Sequence, residues 1–341
     1  MRTKPFFHPL KLNFYRLCLL ICCLLCTPAF ICCSKPVAKE TATGFYFNTI
    51  ITVTVYEPGA SPDSLSASVL VQNCMDMAAY YEQLFSRTVE GSDVWNINHS
   101  NTIPVTVSED TITLLSTALS YAELSEGLVD PTIGTLSVLW DFTGNAQTVP
   151  SDMQIEEALS HVNYQSVIID GNQVALTDPY ACIDLGFIAK GYIADRMKEY
   201  LLSEGVTSAV INLGGNVLTI GNKPDGSDYT IGVQKPFADT GTALLTLSIS
   251  DKSVVSSGNY ERYFYADNIL YHHILSTKDG YPAKSDLSQV TIISSHSVDG
   301  DALSTLCFIL GYKDGRALIE SLPDTEAIFV TSDGNVFKTY S

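Results

Sequence analysis

The stretch from residue 182 to residue 221 constrains the fold of this chain more than any other. Its first half carries apolar side chains at helical spacing, and its second half, from Val206 to Leu213, is rich in β-forming residues. Gly205 lies between the halves, where a helix commonly ends, and a Gly214-Gly215 pair then interrupts the strand. We therefore predict a strand, a tight turn, an amphipathic helix, a turn and a strand in succession. The apolar positions of the helix are Ile188, Tyr192, Ile193, Met197 and Leu201.

Three charged residues, Asp184, Lys190 and Asp195, lie around the start of this predicted helix. Lys190 falls in the first turn, where it adds a cation to backbone N–H groups that already attract anions, so the position suits a phosphate. A second interpretation stays open. In it Asp184 caps the helix, Lys190 is solvated and the glycines only turn the chain.

The charge of the chain excludes one class of partner. The formal net charge is −18, and setting aside the four cations of residues 1–33 leaves 15 Lys and Arg against 37 Asp and Glu. Nucleic-acid binding requires a basic face, so we expect no nucleic-acid partner. If so acidic a chain binds a pyrophosphate, it must neutralise that charge locally. This favours a divalent cation with a few placed basic side chains over an arginine-rich site.

Residues 1–33 have the pattern of an export leader. They contain four basic residues, no acid and an almost wholly apolar run from Leu17 to Cys33, which is typical of a secretory signal or a retained membrane anchor. At 17 residues the run is at the short limit for a membrane-spanning helix. We expect an extracytoplasmic protein with this leader at residues 1–33, a polar tether at residues 34–43 and one domain at residues 44–341.

The cysteines do not indicate a disulfide framework. Six of the nine lie in the leader, and the others, Cys74, Cys182 and Cys307, are scattered among apolar residues. This spacing fits neither a disulfide scaffold nor a zinc site. We predict that the three are small core residues.

The remaining pattern predicts one α+β unit with mixed, largely antiparallel sheets and peripheral helices. Helices are predicted at residues 64–85, 108–126, 151–161, 301–310 and 315–322. Strands are predicted at residues 45–56, 229–233, 243–249 and 290–295, with hairpins at residues 165–175 and 326–337. Ser151 and Gln154 form a capping-box pattern at the start of the third helix.

Two oxygen-bearing residues near the end of the chain suit a metal ion. Asp301 and Thr305 are spaced i, i+4, which places a carboxylate and a hydroxyl on one helix face. Both are hard ligands that suit Mg²⁺, an ion that takes few protein groups and leaves positions for phosphate oxygens. The alternative is that Asp301 only complements the helix N-terminus and that Thr305 bonds a backbone carbonyl.

Two further residues have a functional and a structural interpretation. His273, next to His272, is a candidate general base, since a neutral histidine can take a proton from a hydroxyl; a histidine in an alternating strand is also commonly structural. Asp130 precedes Pro131, and an Asp-Pro pair by itself indicates a turn. The chain contains no P-loop, GxGxxG or GxSxG pattern.

Several motifs, taken in order, resemble the ApbE family of FAD:protein FMN transferases. The family signature Asp-Leu-Gly-x-Ile-Ala-Lys-Gly-Tyr-x-x-Asp is matched from Asp184 to Asp195, and its Asn-Leu-Gly-Gly from Asn212 to Gly215. Further blocks match at residues 126–134, 256–263, 271–274 and 300–305. The resemblance spans residues 44 to 340 and implies a T-fold-like architecture of two sheets with peripheral helices.

This resemblance implies an exported, Mg²⁺-dependent transferase. Such an enzyme moves FMN from FAD to a threonine or serine hydroxyl of an exported flavoprotein subunit of a redox complex and releases AMP. The resemblance implies that Asp301, Thr305 and the Phe187 carbonyl hold the metal and that His273 is the base. The implied FAD contacts are Phe47, Thr88, Leu128, Val129, Asp130, Asp184 and Lys190. Many members are lipoproteins, so Cys32 or Cys33 is a candidate for lipidation.

Two other functions stay open at this point. One is hydrolysis of FAD to FMN and AMP, which uses the same metal site. The other is a non-enzymatic FAD-binding lipoprotein, which needs a flavin pocket but no metal ligands.

The sequence also departs from the family pattern at the expected flavin pocket, at the metal-binding carbonyl and in the loop after His273. Phe47 and Asn48 replace Met-Gly, Thr88 stands at an aromatic position, Phe187 at a small one and Ser276 at an acidic one. We therefore predict a flavin pocket that is built differently from that of many relatives.

Overall fold

Antiparallel strand pairing organises the computed structural model, which describes residues 39–56, 65–144 and 147–340. The largest sheet has eight strands, numbered here along the chain. In spatial order they are β1 (Lys39–Tyr46), β2 (Thr49–Tyr56), β6 (Ala209–Leu213), β7 (Asn216–Ile220), β10 (Ser253–Gly258), β13 (Leu287–Ser294), β14 (Glu326–Thr331) and β15 (Val336–Lys338). All neighbours in this sheet pair in antiparallel fashion.

Three smaller sheets complete the β-structure of the described residues. They are β3 (Val105–Thr106) with β5 (Gln173–Leu176) and β4 (Val167–Asp170), β8 (Tyr229–Gln234) with β9 (Ala243–Ile249), and β11 (Tyr263–Ala266) with β12 (Ile269–His272). Their strands also pair in antiparallel fashion. The prediction of an α+β fold with largely antiparallel sheets is therefore confirmed.

Seven α-helices surround these sheets within the described ranges. They are α1 (Ala67–Phe85), α2 (Asp93–Asn98), α3 (Glu109–Leu124), α4 (Gly134–Trp140), α5 (Asp152–Ser160), α6 (Ala189–Ser203) and α7 (Ser297–Ser321). Helices α1 and α6 share one apolar core with β2, β6 and β7. Helix α7 packs mainly on β10 and β13, so α6 and α7 lie side by side over the sheet.

Alternation along β13 gives the large sheet two buried faces. Ile292 packs in the same core as Leu303 and Phe308 of α7, whereas the next residue, Ile293, packs in the core formed with the β8–β9 hairpin. Successive side chains of a strand point to opposite faces, and all eight residues of β13 are buried. This strand is the central support for the helix that carries Asp301.

Capping and turn residues in the sequence predicted the ends of several helices and strands correctly. The Ser151 hydroxyl accepts the Gln154 N–H and the Gln154 side chain accepts the Ser151 N–H, so the capping box of α5 is formed. Helix α6 ends at Ser203, and Gly205 follows with φ of 80°, the left-handed conformation typical of a helix end. The predicted hairpin at residues 165–175 forms between β4 and β5.

The predicted single strand at residues 45–56 is wrong. The chain forms a hairpin there, because β1 ends at Tyr46 and β2 starts at Thr49. Phe47 and Asn48 make the turn with φ of 53° and 55°. Such a turn normally takes Gly, Asn or Asp at both positions, and the phenylalanine hid it from sequence analysis. Strand β1 begins at Lys39, so residues 39–43 belong to the sheet and not to the predicted tether.

The two predicted helices at residues 301–310 and 315–322 correspond to the two segments of α7, which are separated by a kink at Gly311, where φ is 79° and ψ is 177°. The first segment starts at Ser297 and not at residue 301. Asp301 is consequently the fifth residue of the helix and lies outside its first turn. The alternative in which Asp301 only complements the helix N-terminus is therefore not supported.

The leader is not among the residues that the structure describes. Residues 1–33, with Cys32 and Cys33, lie outside the described ranges. Within those ranges no helix is both long enough and apolar enough to cross a membrane. Cys74 and Cys307 are buried and Cys182 is half-buried, and the three thiols form no disulfide.

Candidate active site

One cavity of about 330 Å³ gathers every residue that the sequence predicted for the site. It opens between the Phe47 turn, the loop at residues 128–130, the start of α6 and the first half of α7. The predicted residues that line it are Phe47, Thr88, Leu128, Val129, Asp130, Asp184, Phe187, Lys190, His273, Asp301 and Thr305. The lining also includes residues that sequence reasoning missed: Arg87, Asn216, Ser257, Glu261 and Arg262.

Two neighbouring hairpin turns form one edge of the cavity. The Phe47-Asn48 turn is held by the Phe47 N–H, which donates to Glu82 Oε1 at 2.6 Å. Beside it, Gly214 starts the turn between β6 and β7, with φ of 61°. A Cβ atom on Gly214 would lie 2.1 Å from Thr49 Oγ1. Glycine is needed there because the two turns pack directly against each other.

Gly191 allows helices α6 and α7 to meet at their N-terminal ends, a region called here the helix junction. A Cβ atom on Gly191 would lie 2.3 Å from the Ser297 carbonyl oxygen. The Gly191 N–H donates to Asp301 Oδ2 at 2.6 Å. In return, Asp195 accepts the backbone N–H groups of Ser297 at 2.8 Å and Val298 at 2.9 Å. Asp195 thus caps α7, and each helix fixes the start of the other.

The Asp301 carboxylate is buried but keeps room for a ligand. Its side chain is 5% exposed, and Lys190 Nζ lies 3.7 Å from Oδ1. Burial raises the pKa of Asp301, while Lys190, the Gly191 N–H and the Asn216 amide act in the opposite direction. Among the described residues the Gly191 N–H is the only donor in a direct hydrogen bond to this carboxylate. Lone pairs of Oδ1 therefore remain available for a cation.

Thr305 and Phe187 offer further oxygen ligands. The Thr305 hydroxyl lies 3.2 Å from the Ser257 hydroxyl, and it makes no hydrogen bond to a carbonyl within the described part of the chain. The Gly191 N–H, which would close a helical turn on the Phe187 carbonyl, donates to Asp301 instead. The carbonyl thus lacks this helical partner.

This donor set fits Mg²⁺ better than zinc. The described residues contain no group of three or more His, Cys, Asp or Glu side chains that could hold an ion. One carboxylate, one hydroxyl and one carbonyl are few protein ligands, and Mg²⁺ commonly completes its coordination with water and substrate phosphates.

The two adjacent histidines have different surroundings. His272 is buried, donates from Nε2 to the Ala283 carbonyl at 3.2 Å and packs against Phe308. His273 lines the cavity, and its Nδ1 has no hydrogen-bond partner among the described residues. Burial lowers the pKa of His272 to about 4 and that of His273 to about 3, with the Arg262 cation adding to the second shift. Both rings are therefore neutral near pH 7.

Asp184 does not cap helix α6, contrary to one interpretation of the sequence. Its Oδ2 pairs with Arg87 Nε at 3.0 Å, and its Oδ1 accepts the Gly186 N–H at 2.9 Å. The residue before the helix, Ile188, makes no side-chain cap. Arg87 lies 97 positions from Asp184 along the chain, so no local pattern could reveal this pair. Thr88, beside Arg87, is exposed at the cavity rim.

Both oxygens of the Asp130 carboxylate are hydrogen-bonded within the protein. Its Oδ1 accepts the N–H and the hydroxyl of Thr132 at 2.7 and 2.6 Å, and its Oδ2 accepts the Tyr164 N–H at 2.8 Å. Burial raises the pKa of Asp130, and these donors oppose the shift. The carboxylate thus shapes the loop that places Leu128 and Val129 on the cavity wall.

Glu261 is an acid of the cavity that sequence reasoning missed. The residue is exposed to solvent at the cavity, yet the partial burial of its carboxyl there raises the pKa of Glu261 to about 7, against the nearby cations of Lys190 and Arg262. It lies within a sequence block matched to the family, and that block alone gave no reason to select it.

Comparison with known proteins agrees with this geometry. The ApbE family model matches residues 47–329. The FAD:protein FMN transferase of Klebsiella pneumoniae is 40% identical over 270 residues, covering 78% of this chain and 84% of that protein. The enzyme of the same name from Treponema pallidum is 29% identical over 339 residues, covering 95% and 92%. The crystal structure of the ApbE protein of Thermotoga maritima has a TM-score of 0.79 at 34% identity, covering 88% of this chain and 97% of that one. This chain belongs to the ApbE family.

Proposed function

We propose that this protein transfers the FMN part of FAD to a threonine or serine hydroxyl of an acceptor protein. The observation that carries the proposal is one cavity whose lining combines Lys190, Asp301 and Thr305 with apolar side chains that include Phe47. Such a cavity suits a pyrophosphate joined to a flavin ring. Two relatives that bear the name FAD:protein FMN transferase support the same reaction.

The proposed reaction is a substitution at the FMN-side phosphorus. The acceptor oxygen forms a new P–O bond, the P–O bond to the bridging oxygen breaks, and AMP leaves with that oxygen. His273 takes the proton of the acceptor hydroxyl, since its ring is neutral near pH 7 and lines the cavity. Lys190 stabilises negative charge on the pyrophosphate from the first turn of α6.

Asp301, Thr305 and the Phe187 carbonyl are the residues that would hold Mg²⁺. When bound, the ion would neutralise charge on the pyrophosphate in a protein of strongly negative net charge. Asp301 supplies the anionic ligand because its Oδ1 accepts no hydrogen bond among the described residues and lies 3.7 Å from Lys190 Nζ.

The flavin end of the site is assigned to the cavity wall formed by Phe47, Thr88, Leu128 and Val129. Asp130 contributes to FAD binding through the shape of its loop, because its carboxylate oxygens are already bonded within the protein. Asp184 lines the same cavity as Lys190, and its ion pair with Arg87 orients the Arg87 guanidinium there.

The test combines the protein with FAD, Mg²⁺ and an exported flavoprotein domain that carries the acceptor hydroxyl. We expect a covalent, fluorescent flavin on the acceptor in a denaturing gel and an equal amount of AMP. His273→Gln should reduce both products. Release of free FMN and AMP at a rate independent of the acceptor would instead identify FAD hydrolysis. Binding of FAD without either product would indicate a non-enzymatic flavin-binding protein.

We further propose that residues 1–33 export the protein and tether it to the outer face of a membrane, where acceptors among exported redox flavoproteins would meet it. The support is the basic and apolar pattern of this leader, with Cys32 and Cys33 as lipidation candidates. Cell fractionation should place the full-length protein in the membrane fraction and outside the cytoplasm. A cytoplasmic protein that retains its leader would contradict this.

A further inference from the structure

Asn216, the first residue of β7, presents a buried amide nitrogen without a partner. The residue is 2% exposed and lines the cavity. Its Nδ2 atom makes no hydrogen bond within the described part of the chain. A buried N–H donor is unfavourable unless something accepts from it. The atom is therefore a donor that the described residues do not fully use.

The orientation of this amide is fixed from its other end. Ser253 Oγ donates to Ser297 Oγ at 2.9 Å, and Ser297 Oγ donates to Asn216 Oδ1 at 2.7 Å. Nδ2 lies near enough to act on the Asp301 carboxylate but makes no regular hydrogen bond with it. Reversing the amide would turn its oxygen toward that carboxylate, and two acceptors would then repel each other.

The groups around Nδ2 suit an anion with several acceptor oxygens. Lys190 lies in the first turn of α6 and 3.7 Å from Asp301, and the hydroxyls of Ser257 and Thr305 line the same cavity. An ammonium, an amide N–H and hydroxyls are all donors to phosphate oxygens, and a helix start favours negative charge.

We propose that Asn216 Nδ2 donates a hydrogen bond to a phosphoryl oxygen of the FAD pyrophosphate. This inference rests on the proposed function, because it takes FAD as the ligand. Asn216 is then a phosphate-binding residue, and the hydroxyl chain from Ser253 through Ser297 holds its amide in the binding orientation. The contact does not require the metal, so it can be measured without Mg²⁺.

The test compares FAD with riboflavin, which carries the flavin without phosphate. Fluorescence titrations in Mg²⁺-free buffer with a chelator give Kd for the full-length protein, Asn216→Leu and Asn216→Asp. We expect FAD to bind Asn216→Leu on the order of 10- to 100-fold more weakly. Binding to Asn216→Asp should be weaker still, because its carboxylate repels phosphate. Riboflavin affinity should stay the same in all three.

The matched control is Asn222→Leu, the same substitution at an asparagine whose Nδ2 donates to Asp228 Oδ1 at 2.8 Å and which does not line the cavity. It should bind FAD nearly as tightly as the unaltered protein, and thermal melting should show that all variants are folded. Three results would each overturn the inference: unchanged FAD affinity in Asn216→Leu, equal weakening of FAD and riboflavin, or the same loss of FAD affinity in Asn222→Leu.

Failure of this contact and failure of the proposed function are distinguishable. If the unaltered protein transfers FMN to the acceptor while Asn216→Leu binds FAD normally, the phosphate contact is wrong and the function stands. If the unaltered protein modifies no acceptor while the FAD affinities differ as expected, the contact stands and the function is wrong.

Discussion

The helix junction and the Asp130 loop (residues 128–132) each place a buried acid at the same cavity, yet they use it in opposite ways. Asp130 and Asp301 are 5% and 4% exposed, and burial raises the pKa of both. Three donors from Thr132 and Tyr164 occupy both oxygens of Asp130. Asp301 accepts one backbone N–H, and Lys190 remains 3.7 Å away.

This difference teaches that hydrogen-bond saturation, and not burial, separates a structural acid from one that can take a ligand. A carboxylate has lone pairs for about four bonds, and Thr132 and Tyr164 already donate three bonds to Asp130. Asp301 keeps lone pairs on the side of the cavity. The comparison predicts that neutralising Asp301 will lower activity with little change in stability. Neutralising Asp130 should lower stability with little change in activity.

The largest effect is expected for Asp301→Asn. The amide keeps an oxygen for the Gly191 N–H but removes the negative charge proposed to hold Mg²⁺. We expect FMN transfer to fall on the order of 100- to 1000-fold, while the free energy of unfolding changes by about 1 kcal/mol or less. Steady-state AMP release across a Mg²⁺ titration and chemical denaturation measure the two effects.

Asp299→Asn is the matched control for this variant. Asp299 lies on the same helix, where it accepts the Tyr121 hydroxyl at 2.6 Å, and it does not line the cavity. Its activity and Mg²⁺ dependence should stay near normal. Normal, chelator-insensitive transfer by Asp301→Asn would break the comparison, since Asp301 would then be as structural as Asp130.

Gly191→Ala should have the next largest effect, a loss of stability, because the helix junction has no room for a side chain. The new Cβ would lie 2.3 Å from the Ser297 carbonyl, so α6 and α7 must separate. We expect a loss of about 3 kcal/mol in the free energy of unfolding, with reduced transfer because Asp301 is displaced. Gly232→Ala is the control, since the nearest atom to its Cβ would be 3.4 Å away. Equal stability of the two variants in urea denaturation would contradict the tight junction.

Asp130→Asn sharpens the comparison from the other side. An amide has only one acceptor oxygen, so its NH₂ group must face either Thr132 or the Tyr164 N–H, both of which now donate to the carboxylate. We expect the free energy of unfolding to fall by about 2–3 kcal/mol, with transfer per folded molecule near that of the unaltered protein. Denaturation and AMP release decide the matter. Weak FAD binding by a fully stable variant would show that the carboxylate itself contacts the ligand.

The sequence revealed those parts of the fold and site that depend on near neighbours. The capping box of Ser151 and Gln154 and the hairpin at Asp170-Gly171 are local, and the structure contains both. Asp301 and Thr305 were found together because i, i+4 spacing places them on one helix face. Their roles at the site came from the family resemblance and stay predictions.

What the sequence missed depends on contacts between distant segments. Arg87 pairs with Asp184 only because the loop after α1 packs against the turn before α6. The orientation of the Asn216 amide depends on a hydrogen bond from Ser297, which lies 81 positions away along the chain. The turn at Phe47 was missed for another reason: tertiary contacts hold a phenylalanine at positive φ, against its local preference.

The smallest effect extends the comparison from the acids to His272, which is buried with one ring nitrogen bonded and the other unpartnered among the described residues. Burial lowers the pKa of His272 from its ordinary 6.5 to about 4. Between these values the unfolded chain holds a proton here that the folded protein does not, so stability falls as the pH falls through this window. We expect the titration of His272 to lower the free energy of unfolding by about 1–2 kcal/mol between pH 7 and pH 5.

The test is His272→Gln, which can still donate to the Ala283 carbonyl. Its free energy of unfolding should fall by about 1–2 kcal/mol less than that of the unaltered protein over the same pH range. Groups with raised pKa values, such as Asp195 and Glu261, act in both proteins and cancel in the difference. Free energies of unfolding from urea titrations at pH 5 and pH 7 provide the measurement, and parallel pH curves for the two proteins would show that the His272 ring is accessible to protons in the folded state.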